Sequence, residues 1–563
     1  MQLDRRAMLA SATAALAATR LPAQARPAAL TIRATGRDYR PALDAIRAYA
    51  SAELAATGLP GMTLAIVDAD GFAATLALGW ADLAARRPVA DDQLFEIGSI
   101  SKSLAGLWLH AAAAQGKVDL DATIGALLPD VPVPAEPITL RQLLNHVGGT
   151  TSSSPVFPRS PGGRQWTGFR PGERFSYSNL GYDLLGLAID RIAGRPHPQV
   201  LAEEVLAPLG MAGATAHILT ADRARFATGY APRRADLPPL TGARLAEGPW
   251  TEEDIAAGAI AASSTAMIGY LRYVLAFGRG QGGVLMPDAA ARAMLAGQVE
   301  ADEFGKGARY ASGFAIQQVG GHSVLHHTGG MMMFASSFHA DALAGVACFA
   351  SANGVLGEYR PRQTTSYAVE VLRAVREGRP LPPLPDPRAF RRIGRPSRFV
   401  GRWLGPAGQA LDIRADGDGL ALLADGARTR LEPFGPRSLG TDHPTRGPYL
   451  LDFEPEEGVL ARLWWGGTLF ARDSAPSQPD IPARIGTLEG RYVSRDPWAG
   501  TYVVIARGGR LMLEGVGEIV ERTAGFWSPA EDVGGVERFW FDAPVAGRAS
   551  RMIADGYDLV RLD

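Results

Sequence analysis

Residues 378–387, GRPLPPLPDP, place five prolines within ten positions. Each proline fixes φ and removes a backbone donor, so this stretch cannot continue a helix or a central strand and reads as a stiff spacer. It divides the 563-residue chain into parts that must each bury a core of their own. A second proline-containing stretch, APSQPDIPARIG at 475–486, divides the C-terminal part again. The composition supports several cores: 47% of residues are hydrophobic, and 66 Gly and 40 Pro supply many turns.

The part before the first spacer, residues 30–378, reads as one α/β unit. GMTLAIVDADGFAATLALGW, from Gly61, is two apolar runs joined at Asp70-Gly71, a hairpin signal. Helical patterns occupy Ser101 to Ala114, Leu140 to Val147 and Leu180 to Ala193, stopped by Gly116, Gly148 and Gly194. After residue 310 the runs GFAIQQV, HSVLHHT, MFASSFH and GVACFASA alternate with Gly- or Asp-containing turns and predict strands returning to the opening sheet. Sheet and helices then enclose a cleft.

After the spacer, FVGRW at 399–403 matches LEGRY at 488–492, and DGDGLALLADG matches ARGGRLMLEGV, a repeat offset by about 90 residues. Two small antiparallel β-barrels, over 388–475 and 486–563, account for it. One large β domain with chance similarity is the competing reading. The second barrel or its loops are expected to restrict the cleft.

Several classes are excluded by charge and cysteine usage. Lys plus Arg number 57 and Asp plus Glu 58, a net charge of -1, which gives no summed positive field for nucleic acid. Cys348 is the single cysteine and lies in the apolar run AGVACFASA, so it reads as core packing. In residues 1–25, Arg5 and Arg6 precede thirteen uncharged residues, Ala7 to Thr19, and Ala23-Gln24-Ala25 supplies a small-x-small cleavage site. This predicts a bacterial signal peptide, with a periplasmic or secreted mature chain starting near Arg26; the arginine pair fits the twin-arginine route. An Ala-rich surface helix is the alternative. No later apolar run is long enough for an integral membrane span.

Three of the 57 basic residues are lysines: Lys102, Lys117 and Lys306. A buried lysine can lose its proton and act as a base, whereas arginine cannot. Lys102 follows Ser99 by three positions in FEIGSISKSLAG, which places amine and hydroxyl on one helix face. An N-cap serine with a solvated lysine would show the same spacing. Tyr177-Ser178-Asn179 is the one Tyr-x-Asn in the chain and falls where a loop enters a helix. A tyrosine beside an ammonium has its phenolate favoured and can relay a proton. Asn179 offers an amide to a substrate carbonyl or to the lysine. His327-Thr328-Gly329 ends a predicted strand, with backbone available to a cleft; His146-Val147-Gly148 also matches His-x-Gly but reads as a helix-dipole partner with a glycine cap.

In this order, Ser-x-x-Lys, Tyr-x-Asn and His-Thr-Gly resemble the penicillin-recognising serine hydrolases: class C β-lactamases, D-alanyl-D-alanine carboxypeptidases, D-aminopeptidases and related esterases. The resemblance covers residues 40 to 375. It implies a β-lactamase-like domain, antiparallel sheet plus helices, with Ser99 as acylated nucleophile, Lys102 as its base and Tyr177 as partner base and acid. Asn179, His327, Thr328 and Gly329 would bind substrate. The oxyanion hole would use the N–H of Ser99 and of a residue after His327, for which Met332 is the candidate. The family chemistry needs no metal or organic cofactor. Consistent with that, His322, His326, His327 and His339 lack any His-Glu-x-x-His or carboxylate pattern. Met331, Met332 and Met333 read as core or pocket lining.

Where relatives usually carry Lys-Thr-Gly, with the lysine helping to hold a substrate carboxylate, this chain has histidine, mostly neutral at neutral pH. That lowers the expectation of penicillin hydrolysis or carboxypeptidation. Family D-aminopeptidases have a His-x-Gly motif and two lipocalin-like barrels, so an exported D-aminopeptidase-like enzyme for small peptide, amide or ester substrates is the leading reading. An esterase or β-lactamase/carboxypeptidase relative is the alternative, and a non-catalytic cell-wall-peptide binding protein the alternative of another class.

Overall fold

A computed structural model describes residues 27–234, 237–357 and 359–562; the predicted signal peptide lies outside the described residues. The first part is built on an antiparallel sheet. Its strands are β1 (Ala28–Ala34), β2 (Gly61–Asp68), β3 (Ala73–Asp82), β4 (Val299–Glu300), β5 (Arg309–Ala311), β6 (Phe314–Val319), β7 (His322–Gly330), β8 (Ala335–Asp341) and β9 (Val346–Ala352). They lie in the order β1-β3-β2-β9-β8-β7-β6-β5-β4, so the C-terminal strands of this part return beside the opening hairpin. Asp68 organises that hairpin, since its Oδ1 accepts the N–H of Asp70 (2.9 Å) and of Phe72 (2.8 Å) while Gly71 takes φ +107°.

β2 and β9 are buried along their whole length, which explains their unbroken apolar sequences. The twofold alternation survives in which face each residue serves. Leu64, Ile66 and Cys348 pack under α1 (Arg40–Thr57) and the last helix of this part; Ala65, Val67 and Phe349 pack under the helices of the opposite layer. That layer holds α2 (Ser101–Ala114), α3 (Asn179–Ala193) and α4 (Ser264–Phe277), and α5 (Arg362–Arg376) lies beside α1. Cys348 is fully buried and its thiol pKa is raised by burial.

One predicted helix is shorter than its pattern. Leu140–Leu144 ends in Asn145, and His146 takes φ +55°, so Gly148 is not the cap and His146 is not a dipole partner. The turn directs the His146 ring inward, where Ser178 and Tyr310 supply its hydrogen bonds.

After the spacer come two closed eight-stranded antiparallel barrels, with strands spanning 401–471 and 490–561. The sequence repeat has a structural meaning. Gly401–Leu404 and Gly490–Ser494 open the barrels, and each buries an aromatic that bonds four residues back: Trp403 Nε1 to Phe399 O (3.3 Å) and Tyr492 Oη to Leu488 O (2.8 Å). An arginine from the last strand region packs against each opening strand, Arg472 at 4.2 Å over the Trp403 ring and Arg561 against Gly490. Among the described residues no helix is long and apolar enough to cross a membrane.

α5 is fastened to the sheet by buried charge. Asp341, fully buried at the end of β8, accepts from Arg373 Nη1 (3.1 Å) and from the Ala344 N–H (2.8 Å), with His322 Nδ1 at 2.8 Å. Replacing Asp341 with Ala leaves Arg373 buried and unpaired and is expected to destabilise the first domain by about 3–5 kcal/mol, read as an earlier first transition in urea.

Candidate active site

The 3₁₀ turn Gly98–Ile100 runs directly into α2, so Ser99 and Lys102 stand one turn apart on the same face. Gly98 takes φ +54°, and a Cβ there would lie 2.7 Å from the Gly330 nitrogen, so the position requires glycine twice over. Lys102 has no exposed surface. Its Nζ stands 3.0 Å from Ser99 Oγ and donates to Asn179 Oδ1 (2.7 Å) and the Ala257 carbonyl (2.7 Å). The rings of Tyr177 and Tyr182 flank it, 5.1 and 5.5 Å away. Burial pushes the Lys102 ammonium pKa far down, and the Asp183 carboxylate opposes that shift. Burial likewise pushes Asp183 up. Ala257 links the two groups, its N–H to Asp183 Oδ1 (3.4 Å) and its carbonyl to Lys102.

Tyr177 and Asn179 are delivered by the start of α3, where Ser178 is the N-cap and accepts from the Gly181 N–H (3.0 Å). The Tyr177 hydroxyl lies near enough to Ser99 for the serine to act on its titration. Its pKa differs from the phenolate expected beside a lysine: burial raises it, outweighing Ser99 and Arg360, which act the other way.

His327 and the discounted His146 belong to one hydrogen-bonded chain. The Ser178 N–H donates to His146 Nδ1 (3.0 Å), which leaves the proton on Nε2 to reach Tyr310 Oη (3.2 Å). Tyr310 in turn reaches His327 Nε2 (3.1 Å), and His327 Nδ1 donates to the Thr328 carbonyl (2.6 Å). This network assigns both tautomers. Burial pushes His327 down to about 3, so it is neutral and both ring nitrogens are engaged inside the protein. Its ring is therefore not a charged anchor for a carboxylate. Thr328 lines a separate cavity with Arg360 and Arg362.

Gly329 and Gly330 let the end of β7 touch the serine turn: a Cβ on Gly329 would collide with the Ile97 carbonyl, and one on Gly330 with Arg360. Met331 N–H bonds Phe334 O (2.9 Å), so ladder alternation turns the Gly330 N–H away from β8, toward the edge that meets Gly98 and Ser99. Met332 lies beyond the strand, in the turn before Ala335, lining a pocket; the strand N–H that faces the serine turn is Gly330's. The Ser99 N–H, near the start of a helical run, has no acceptor within the helix.

The structure thus gathers Ser99, Lys102, Tyr177 and Asn179, with His327 and Gly329 behind them. Sequence reasoning misses Ala257, Asp183, Tyr310, Gly330 and Arg360, and gives His146 the wrong role. Ala257 and Gly330 act through backbone atoms, which leave no side-chain signature. Asp183 carries a usable signal, as a carboxylate on an otherwise apolar stretch of α3, four residues after Asn179.

A family model described as Beta-lactamase matches residues 46–372, more than half of the chain. A Beta-lactamase of Providencia stuartii is 28% identical over 179 residues, covering 31% of this chain and 46% of that protein. Penicillin-binding protein 4* of Bacillus subtilis (strain 168) is 26% identical over 154 residues, 24% of this chain and 33% of the relative. The chain spans less than half the length of these curated relatives. Among solved structures, the octameric penicillin-binding protein homologue from Pyrococcus abyssi superposes with a TM-score of 0.53 at 21% identity, covering 76% of this chain and 99% of that one. At that identity the likeness is one of fold.

The contact between Gly329 and the serine turn is directly testable. Gly329→Ala should force β7 from Ser99 and slow labelling of the protein by a fluorophosphonate by about a hundredfold. Gly419→Ala, whose Cβ would find its nearest neighbour at 3.7 Å, should leave the rate unchanged.

Proposed function

The chain belongs to the beta-lactamase family, and from that premise we propose that it is an exported serine hydrolase that acylates Ser99, with D-aminopeptidase-like action on small amides and peptides. The observation that carries this reading is the buried Lys102 amine 3.0 Å from Ser99 Oγ. A neutral amine keeps its two N–H groups on Asn179 and Ala257 and turns its lone pair to the serine proton. Ser99 Oγ then attacks the substrate carbonyl carbon as its proton passes to Lys102 Nζ. The developing oxyanion is received by the N–H groups of Ser99 and Gly330. Tyr177, a neutral phenol near Ser99, gives its proton to the leaving nitrogen and recovers one from Lys102. Water reverses the sequence and frees the acid.

The neutral, internally bonded His327 supports substrates that need no carboxylate anchor, and the two barrels match the layout of family D-aminopeptidases. Arg360 favours a second reading. Its guanidinium lies against Gly330, a cation suited to the carboxylate of a carboxypeptidase or β-lactam substrate. The N-terminal arginine pair and apolar run support export.

Ser99→Ala should abolish turnover of D-alanine p-nitroanilide and of a p-nitrophenyl ester, together with phosphonate labelling. An unchanged Ser99→Ala rate would refute the assignment, and an unlabelled native protein would favour a binding protein. Lys102→Arg, which cannot be deprotonated, should lose about 10²–10⁴-fold in kcat/KM. Asp183 holds the Lys102 pKa up, so Asp183→Asn should lower it and move the acidic limb of the kcat/KM profile to lower pH.

A further inference from the structure

Beside the serine turn is a pocket of ≈ 100 Å³. Its walls include Glu96, Glu253, Phe226, Trp250 and the turn that carries Met331. Glu96 pairs opposite Ala261, and the Ile97 N–H bonds Ile260 O (3.0 Å), which joins the strand before Ser99 to the segment that follows Glu253. Glu96 precedes Ser99 by three residues, so their Cα atoms lie within about 11 Å. Met331 directly follows Gly330, so the same pocket borders the strand end that faces the nucleophile.

The polarity of this pocket is unbalanced. Among the described residues the Glu96 carboxylate makes no hydrogen bond or ion pair, although the residue is partly buried. The charged group acting on it is a second carboxylate, Glu253, which accepts from Trp498 Nε1 of the second barrel (2.6 Å). Asp254 and Asp496 add further negative charge around Glu253. Among the described residues neither arginine of the pocket wall pairs with Glu96 or Glu253: Arg223 donates to Glu247 (3.0 Å) and Arg87 to the Phe226 carbonyl (3.3 Å), both on the same wall. Burial and the facing carboxylate push Glu96 up to about 8, and Glu253 is raised in the same direction. A partly buried carboxylate that has no donor and faces a second carboxylate is stabilised when a proton or a cation joins it. The rings of Phe226 and Trp250, edge to face at 5.1 Å, line the rest of the pocket, and the Arg223 guanidinium 5.5 Å over the Trp250 ring shows that this aromatic surface accepts a cation.

We propose that this pocket is an ammonium subsite: Glu96, with Glu253 as second acceptor, binds a free primary amine on the acyl portion of the substrate while the scissile carbonyl sits at Ser99. The inference rests on the acyl-transfer reading above and narrows it to amides whose acyl group carries a cation. Trp498 makes the second barrel part of the subsite by orienting Glu253.

The test separates binding from turnover. Full-length Ser99→Ala protein is titrated calorimetrically at pH 7 with D-alanine amide and with N-acetyl-D-alanine amide, alone and combined with Glu96→Gln or Glu253→Gln. The free amine is expected to bind at least tenfold more tightly than the acetylated form, and either glutamine variant should remove most of that difference while leaving the acetylated form unchanged. Equal affinities for the two amides, or a preference that survives both glutamine substitutions, would overturn the subsite. Loss of both affinities together would assign Glu96 a structural role and also overturn it. Failure of the hydrolase reading shows separately, as Ser99-independent turnover in the native protein, and leaves the binding result interpretable.

Discussion

An amine with no exposed surface sits at the centre of the first domain, and the surrounding structure is arranged around its needs. Lys102 reaches three oxygens at 2.7 to 3.0 Å, from a serine, an asparagine and a backbone carbonyl. In water an ammonium would hold its proton to high pH; here burial removes the solvation that stabilises the charge and leaves Asp183 as a distant counterweight. The same three contacts serve both protonation states, because a charged lysine can donate to all three and a neutral one to two. The site can therefore cycle a proton without moving a side chain, and two of the contacts come from segments 77 and 155 residues away.

Bringing those segments together requires backbones to approach more closely than side chains allow. Gly98 and Gly330 meet at the serine turn, where a Cβ on Gly98 would be 2.7 Å from the Gly330 nitrogen. Gly313 repeats the device on the other side of α2, where a Cβ would lie 2.5 Å from Ser103. The helix that carries Ser99 and Lys102 is thus pressed between two glycine contacts, so its first turn has no freedom to drift from the strand. This is a packing constraint with a catalytic consequence, since displacement of about 1 Å is enough to misalign an attacking oxygen.

Much of this is legible in the sequence wherever the signal is local. Ser99 and Lys102 share a helix face by spacing alone, Tyr177 and Asn179 stand at a helix start, and Gly-x-aromatic opens both barrels of the repeat. What is illegible depends on partners far away in the chain or on atoms that every residue possesses. The Ala257 carbonyl has no signature, and Glu96 and Glu253 face one another only because Phe95–Glu96 pairs with Ala261–Ala262. The sequence around His146 resembles a helix end, but the helix stops earlier, and a left-handed turn swings the ring onto Tyr310. For Tyr177, proximity to a lysine predicts a shift in the wrong direction, because it says nothing about how completely both groups are buried.

The second barrel is more than a trailing module, and the hydrogen bonds say how it bears on the site. Glu537 accepts the Ser152 N–H at 3.0 Å, the Ser152 carbonyl accepts the Asn179 N–H at 2.9 Å, and the Asn179 side chain holds Lys102 at 2.7 Å. Nearby, Trp166 Nε1 donates to Val536 O (2.8 Å), and Gly168 is a glycine because Val536 leaves no room for a Cβ. Asp555 lies against Glu537, and its pKa is raised by burial and by that carboxylate. On a different wall, Trp498 of the same barrel binds Glu253. One barrel therefore touches both the loop that positions the lysine's asparagine and the segment that supplies a pocket carboxylate. Both are connecting segments of the first domain, 101 residues apart in the chain, and the barrel holds each through one hydrogen bond.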